Sequence, residues 1–187
     1  MNNIERELKI SLDKTEYGIL LKAGKTEPQL QVNYYFYAEA MPKDVMLRIR
    51  LKNGKYLFCY KKLLSSVSGV NECDEREKEI DGVTANALIN NGLNPDVLKR
   101  FVGVDLPYVF KCAGSLSTYR AKFAMDKWII ELDKNEYLET TDYELECECA
   151  SNELLGKLKD YLLYNYGIPF KPSLPKSARF INKLLNE

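Results

Sequence analysis

The chain has 187 residues, of which 45% are hydrophobic, and this composition favours one sizeable domain over residues 1–187. Its 27 basic and 27 acidic residues cancel, which argues against a general nucleic-acid binder because such proteins usually carry a basic excess. The chain contains no histidine, which excludes histidine-dependent nucleophilic catalysis and histidine-ligated metals, so a metal would need oxygen ligands.

The sequence predicts nine strand-like runs, separated by turn residues or by helical segments. They lie near residues 3–11, 30–39, 45–52, 55–63, 73–81, 106–113, 117–125, 127–134 and 140–149. Asn53-Gly54 is typical of a two-residue hairpin, and residues 124–127 and 133–135 are interpreted as further hairpin turns.

Five helical segments are predicted from apolar spacing and capping residues. The first is capped by Asp13 and extends through Lys25. The others cover residues 84–91, 95–102, 152–166 and 176–185. Trp128 is expected to pack under a helix. Together with the strands, these segments indicate an α+β fold with an antiparallel sheet.

The sequence predicts no signal peptide and no membrane span, since charge begins at Glu5 and no apolar run is long enough. We therefore expect a cytoplasmic protein without a membrane partner. The five cysteines include no CxxC pair, so neither a disulfide framework nor a zinc site is predicted.

Several predicted strands carry one charged face and one apolar face, because charged and apolar residues alternate along them. The charged faces include Glu5-x-Glu7-x-Lys9, Arg48-x-Arg50, Glu131-x-Asp133 and Glu144-x-Glu146-x-Glu148. Two architectures fit: an open sheet with solvated charges, or a closed barrel with the charges inside and helices covering its apolar exterior. A charged interior is costly unless the charges are paired or bind ions, and a metal with a polyanion would meet that need.

The charged faces have chemistry suited to phosphate and metal. Arginines side by side on a strand repel unless an anion or carboxylates face them, and guanidinium groups suit phosphate oxygens. The three glutamates at 144–148 need cations from basic side chains, a metal or both. For any single run, the alternative is an ordinary solvated strand face or a set of cross-strand ion pairs. Lys176 and Arg179 equally fit an ordinary helix start.

The order of these motifs resembles the CYTH proteins, also called triphosphate tunnel metalloenzymes, and in particular their short bacterial YjbK-like branch. The resemblance extends from about residue 4 to residue 180 and is carried by Glu5-x-Glu7-x-Lys9, Gln31–Tyr37, Leu47-Arg-Ile-Arg50, Tyr60-Lys61, Arg76–Glu79, Arg120, Asp133, Glu146-x-Glu148 and Pro175-Lys176-Ser177. Two positions depart from the family pattern. Tyr37 replaces a common aspartate, and Phe58-Cys59-Tyr60-Lys61 keeps only the lysine of its motif.

The resemblance implies an eight-stranded antiparallel barrel that forms a tunnel, with flanking helices. It implies that triphosphate substrates are bound by Lys9, Arg48, Arg50, Lys61, Arg120 and Lys176. It implies a site for Mg²⁺ or Mn²⁺ made by Glu5, Glu7, Asp133, Glu146 and Glu148, with Glu79 as a further candidate. Within this set, Glu5, Glu7 and Glu148 are the candidate catalytic carboxylates, one of which would orient the attacking water.

Three functions are compatible with the resemblance. The preferred one is divalent-metal-dependent hydrolysis of inorganic tripolyphosphate or thiamine triphosphate, because hydrolysis needs the fewest parts. The second is an adenylate cyclase of the class IV type, and the third is a non-catalytic polyphosphate- or nucleotide-binding protein. Tunnel proteins of this kind can pair, so a homodimer is a further expectation, although no interface is readable in the sequence.

Overall fold

A computed structural model of the protein describes residues 3–67, 70–149 and 151–186. These residues form eight strands: β1 (Asn3–Leu12), β2 (Gln29–Tyr37), β3 (Val45–Lys52), β4 (Lys55–Val67), β5 (Val70–Ile80), β6 (Lys111–Met125), β7 (Trp128–Tyr137) and β8 (Thr140–Glu148). All neighbours are antiparallel, and the order β1-β5-β4-β3-β2-β6-β7-β8 closes into a barrel. The expected eight-stranded barrel is therefore confirmed, and the open-sheet alternative is wrong.

Five helices lie outside the barrel or across one end of it: α1 (Lys14–Gly24), α2 (Gly82–Asn91), α3 (Pro95–Val102), α4 (Asn152–Tyr166) and α5 (Lys176–Leu185). The side chain of Asp13 accepts hydrogen bonds from two backbone amides of the first turn of α1, which confirms the predicted cap. The apolar strand faces point outward and form two cores, one beneath α1 and α4 and the other beneath α2 and α3.

Trp128 illustrates how a helix covers the outer surface of the barrel. Its side chain is buried in the core beneath α4, as expected from the sequence. The indole Nε1 donates to the carbonyl of Leu154 at 3.1 Å, and the ring centroid lies 5.3 Å from that of Tyr161. Helix α4 therefore covers Trp128 with apolar contacts and also accepts the hydrogen bond of its indole N–H.

Two predictions about the strands were wrong. Residues 106–113 are not a separate strand: β6 begins at Lys111 and continues through Gly114, whose φ of +132° lies next to an irregularity in the β2 pairing. The predicted runs 106–113 and 117–125 were separated at residues 114–116, where glycine allows a bend within one continuous strand. Residues 133–135 are not a turn, because β7 continues to Tyr137 and the turn lies at residues 138–139. The turn preference of these residues is offset by hydrogen bonds that they make inside the barrel.

The barrel has one open end and one covered end. We call the end where β1 begins and β8 ends the mouth, and the opposite end the floor. Along the inner face of β8, Glu144 is 0% exposed, Glu146 is 7% exposed and Glu148 is exposed. Helix α5 lies across the floor, where Phe180 packs with Tyr35, Leu116 and Tyr137 in a third apolar cluster. Solvent therefore reaches the inner charges from the mouth. Among the described residues, no helix is long and apolar enough to cross a membrane.

Candidate functional site

The inner wall towards the floor carries a group of buried carboxylates, Asp133, Glu144 and Glu146, which we call the deep cluster. One oxygen of each lies within 4.8 Å of the others, close enough to share a single cation. The ammonium of Lys176, at the start of α5, contacts all three, at 2.8 Å from Asp133 Oδ2 and 2.8 Å from Glu146 Oε1. The three carboxylates are close enough for a metal site, but in this structure the ammonium of Lys176 lies among them.

Three more cations contact the deep cluster. Arg120 donates to both oxygens of Asp133, at 2.7 and 2.6 Å, and to Glu146 Oε2 at 2.6 Å. Lys9 of β1 pairs with Glu146. Arg179 of α5 contacts Glu144 Oε2 at 2.9 Å. With Lys176 these make four cationic groups around three carboxylates, although Arg120, Arg179 and Lys9 each pair with one further carboxylate outside the deep cluster.

The pKa values of the deep cluster reflect these contacts with cations. Burial by itself raises the pKa of a carboxyl group, since it disfavours the charged form. The ammonium of Lys176 and the guanidinium of Arg179 nevertheless lower the pKa of Glu144 to about 2. The pKa of Glu146 is also lowered despite burial, chiefly by Lys176, Lys9 and Arg120. Both groups are therefore ionised at neutral pH.

A basic wall is formed by the neighbouring strands β3 and β4. Arg48 Nη2 lies 3.3 Å from Glu75 Oε1, and Lys61 Nζ lies 3.0 Å from the other oxygen of the same carboxylate. Arg50 Nη1 lies 3.5 Å from Glu77, and its Nε donates to Asn33 at 3.3 Å. These contacts are longer than those in the deep cluster, so this wall holds its cations less tightly and leaves them available to an anionic ligand.

A second acidic group lies at the mouth and consists of Glu5, Glu7 and Glu148, which we call the mouth cluster. Glu7 and Glu148 are opposite each other in the β1–β8 pairing. Lys61 contacts Glu7 at 3.1 Å and Glu5 at 3.4 Å, and Lys9 contacts Glu7 at 3.1 Å. Two cationic groups therefore contact the mouth cluster, whereas four contact the deep cluster.

The pKa values at the mouth shift in the opposite direction. Desolvation, followed by the hydrogen bond and charge of Glu75, raises the pKa of Glu5 to about 8. Desolvation and the charges of Glu131 and Glu7 raise the pKa of Glu148. Carboxylates that repel one another, of which Glu5 and Glu148 are at least partly exposed, form a donor set that a hard divalent cation accepts. The residues at the mouth therefore fit Mg²⁺ or Mn²⁺ better than the deep cluster does.

The residues expected from the sequence mostly face the same barrel interior. The expected phosphate ligands and metal ligands lie on the inner wall or, for Lys176, enter it from α5. Glu79 is the exception. It lies at the end of β5 with a side chain that is 58% exposed, and it pairs with Lys55 rather than with the inner charges.

Four inner residues that make ion pairs with the expected ones were given no site role from the sequence: Glu75, Glu131, Glu144 and Arg179. Two of them were readable from strand parity, because Glu131 precedes Asp133 by two positions and Glu144 precedes Glu146 by two positions. Glu75 shares a face with Glu77 in the same way. Arg179 had no such signal, since only the placement of α5 brings it inside.

Several known proteins are similar to this chain in sequence or in structure. The chain is 31% identical to YjbK, a candidate triphosphatase of Bacillus subtilis, over 183 residues that cover 95% of this chain and 94% of that protein. Its structure is similar to that of HpAC1 from Hippeastrum, a candidate adenylyl cyclase described as having a dominant triphosphatase activity. That similarity has a TM-score of 0.77 at 28% identity and covers 95% of each chain.

A second solved relative is a candidate adenylate cyclase from Bacillus halodurans, with a TM-score of 0.71 at 26% identity. The match covers 93% of this chain and 95% of that one. A family model described as the CYTH domain matches residues 3–181. Because this match spans nearly the whole barrel and its helices, the chain belongs to the CYTH domain family.

Proposed function

We propose that this protein is a divalent-metal-dependent triphosphatase. Its substrates are small molecules that carry a triphosphate, such as inorganic tripolyphosphate or thiamine triphosphate, bound inside the barrel. The observation that supports this most directly is the convergence of a loosely paired basic wall and a cation-poor carboxylate cluster at the open end of one barrel. The triphosphatase assignments of YjbK and HpAC1 support the same activity.

Substrate binding would be the task of the basic wall. The cations Arg48, Arg50 and Lys61 line β3 and β4, and their present partners are carboxylates at 3.0 to 3.5 Å. Phosphate oxygens can replace those partners, because guanidinium groups bind phosphate with paired donors. On the opposite side of the interior, Lys9, Arg120 and Lys176 add positive charge close to the deep cluster.

The mouth cluster would hold the metal through Glu5, Glu7 and Glu148, with Asp133 and Glu146 as further candidates deeper in the barrel. A bound Mg²⁺ or Mn²⁺ supplies charge neutralisation to the phosphate oxygens and makes a nearby water more acidic. The chain's own carboxylates would orient that water and accept its proton, and Glu148 is the most exposed of the three. In-line positioning and neutralisation suffice for phosphoryl transfer to water, so histidine is not required.

The test is to incubate the purified protein with Mg²⁺ or Mn²⁺ and, in turn, tripolyphosphate, thiamine triphosphate and ATP. Phosphate release that requires the metal supports the proposal. Arg50→Ala should raise the KM for triphosphate, whereas Glu148→Gln should mainly lower metal-dependent kcat. Equal activity of both variants and the parent protein would contradict the assignment of the site.

The second candidate function is an adenylate cyclase, which the candidate cyclase assignments of HpAC1 and the Bacillus halodurans protein favour. The same incubation with ATP separates the two reactions. Cyclic AMP with pyrophosphate indicates cyclisation, and free phosphate indicates hydrolysis. Tight triphosphate binding without either product would instead indicate a binding protein.

A further inference from the structure

The inner face of β2 differs from the other walls of the barrel because it is uncharged. It presents Gln31, Asn33 and Tyr35, which are 4%, 3% and 2% exposed. In the strand order, β2 lies directly opposite β1, which carries Glu5, Glu7 and Lys9. Uncharged groups in this position cannot neutralise the facing charges, so the polar interactions that they make are hydrogen bonds.

The inner faces of β2 and the neighbouring β3 also carry buried polar atoms without hydrogen-bond partners. Among the described residues, four buried side-chain polar atoms lack a partner, and three of them lie on β2 or β3: Gln31 Oε1, Tyr35 OH and Arg48 Nε. Tyr35 and Arg48 are opposite each other in the β2–β3 pairing, so their side chains leave neighbouring positions. Leaving a buried donor unpaired destabilises a protein, and the two neighbouring donors of Tyr35 and Arg48 point to a ligand that pairs with them.

The chemistry of the two donors specifies that ligand. The Tyr35 hydroxyl can donate a hydrogen bond, and Arg48 Nε–H can only donate. The other end of the same guanidinium is already held, since Arg48 Nη2 lies 3.3 Å from Glu75. Two donors beside a fixed positive charge suit an anionic oxygen, and a phosphate oxygen is such an acceptor.

The floor of the barrel limits what can be attached to that phosphate. Phe180 of α5 is fully buried, and its ring centroid lies 5.4 Å from that of Tyr35 and 6.0 Å from that of Tyr137. Lys176 ties the start of α5 to the deep cluster, which holds the helix across this end. This aromatic cluster covers the end of the barrel next to Tyr35, so a bulky group attached to the phosphate would have to displace it.

We propose that the Tyr35 hydroxyl and Arg48 Nε bind an unsubstituted terminal phosphate at the floor of the barrel. The inference rests on the proposed function and adds two statements to it. Tyr35 is a further substrate-binding residue, and the substrate class is restricted to triphosphates with one free terminal phosphate. The organic group of such a substrate points to the mouth, and a triphosphate substituted at both ends is excluded.

The first test is Tyr35→Phe, which removes the hydroxyl and keeps the ring against Phe180. We expect the KM for tripolyphosphate to rise about 10-fold, as for a lost hydrogen bond to a charged group, with kcat little changed. The melting temperature should stay the same or rise, because the removed hydroxyl has no partner in the protein.

Tyr137→Phe is the matched control from the same aromatic cluster. Its hydroxyl donates to Asp142 Oδ2 at 2.7 Å, so this variant should lose stability and keep the parent KM. An unchanged KM in Tyr35→Phe, with the parent protein active, overturns this inference alone. A parent protein that neither hydrolyses nor binds tripolyphosphate overturns the proposed function and this inference with it.

The second test uses substrates that differ only at the far end of the triphosphate. ATP has a free terminal phosphate, and diadenosine triphosphate has none. Each is added as a competitor of tripolyphosphate hydrolysis by the parent protein. Inhibition by ATP and its absence with diadenosine triphosphate support the inference. Equal competition by the two, or hydrolysis of diadenosine triphosphate, overturns it.

Discussion

The deep cluster and the mouth cluster each bring three carboxylates together inside one barrel, yet their electrostatics are opposite. The deep cluster is in contact with four cationic groups, and the pKa values of Glu144 and Glu146 are lowered. The mouth cluster is in contact with two lysines, and the pKa values of Glu5 and Glu148 are raised. The comparison shows that proximity of carboxylates does not by itself identify a metal site. The number of cations already present decides whether one more is needed.

Removing the cation at the centre of the deep cluster should have the strongest effect on stability. Lys176→Met leaves three buried carboxylates short of one positive charge, and loss of one member of a buried ion-pair network costs about 3–5 kcal/mol. We expect the free energy of unfolding, measured with urea at pH 7, to fall by that amount. A variant as stable as the parent protein would show that the deep cluster does not depend on this lysine.

The next effect is the response of the deep cluster to acid. The pKa of Glu144 is about 2 in the folded protein and 4.5 ordinarily, so the unfolded chain binds its proton first as the pH falls. The stability that this carboxylate contributes, on the order of 3 kcal/mol, is complete above pH 4.5 and is lost as the pH falls through 2. Urea unfolding across this range measures it. Glu144→Gln should flatten the profile, and an equally steep profile in the variant would contradict the ion-pair origin of the shift.

Glu148→Gln tests the electrostatics of the mouth cluster. Removing one carboxylate relieves repulsion, so the metal-free variant should be at least as stable as the parent protein. Its metal-dependent kcat should fall on the order of 100-fold if this carboxylate is a metal ligand. Glu72→Gln is the matched control, because Glu72 lies on the outer face of β5 and pairs with Arg6 at 3.5 Å. A large loss of metal-free stability in Glu148→Gln would place it in a structural network instead.

The smallest effect is expected at the rim of the mouth. Lys55 and Glu79 form an ion pair at 3.0 Å, but their side chains are 66% and 58% exposed. Exposed pairs contribute about 0.2–1 kcal/mol, so Lys55→Met should change the free energy of unfolding by no more than that. A change as large as that in Lys176→Met would mean that exposure does not separate the two kinds of pair.

Strand parity made the charged and apolar faces of the strands predictable from the sequence, but it left the open sheet and the closed barrel as alternatives. Alternation of charged and apolar residues placed Glu5, Arg48 and Glu146 on inner faces, and the order of the motifs indicated closure. The same alternation failed at residues 133–135, where Asp and Asn were interpreted as turn formers. Their hydrogen bonds to β6 and β8 become visible only when the strands are paired.

The remaining features depend on geometry that one strand does not encode. Glu75 contacts Arg48 although their strands, β5 and β3, are separated by β4, so the curvature of the closed barrel brings the two side chains together. The floor depends on α5, a helix that is remote in sequence from the strands that it covers. Its residues Lys176, Arg179 and Phe180 were readable as a helix start, and only the fold shows that they close the barrel.

The outward direction of the apolar strand faces has a consequence for how the substrate specificity of such a protein can evolve. In most small barrels, packing inside the cylinder stabilises the fold, so inner residues are fixed by volume. Here the two large apolar clusters lie between the barrel and its helices. The free energy of folding therefore depends mainly on the packing of the helices against the barrel. Inner side chains can then be replaced to suit a new anionic substrate, provided that charge balance is kept. Deletion of a covering helix would instead expose the apolar outer face of the barrel and cause aggregation.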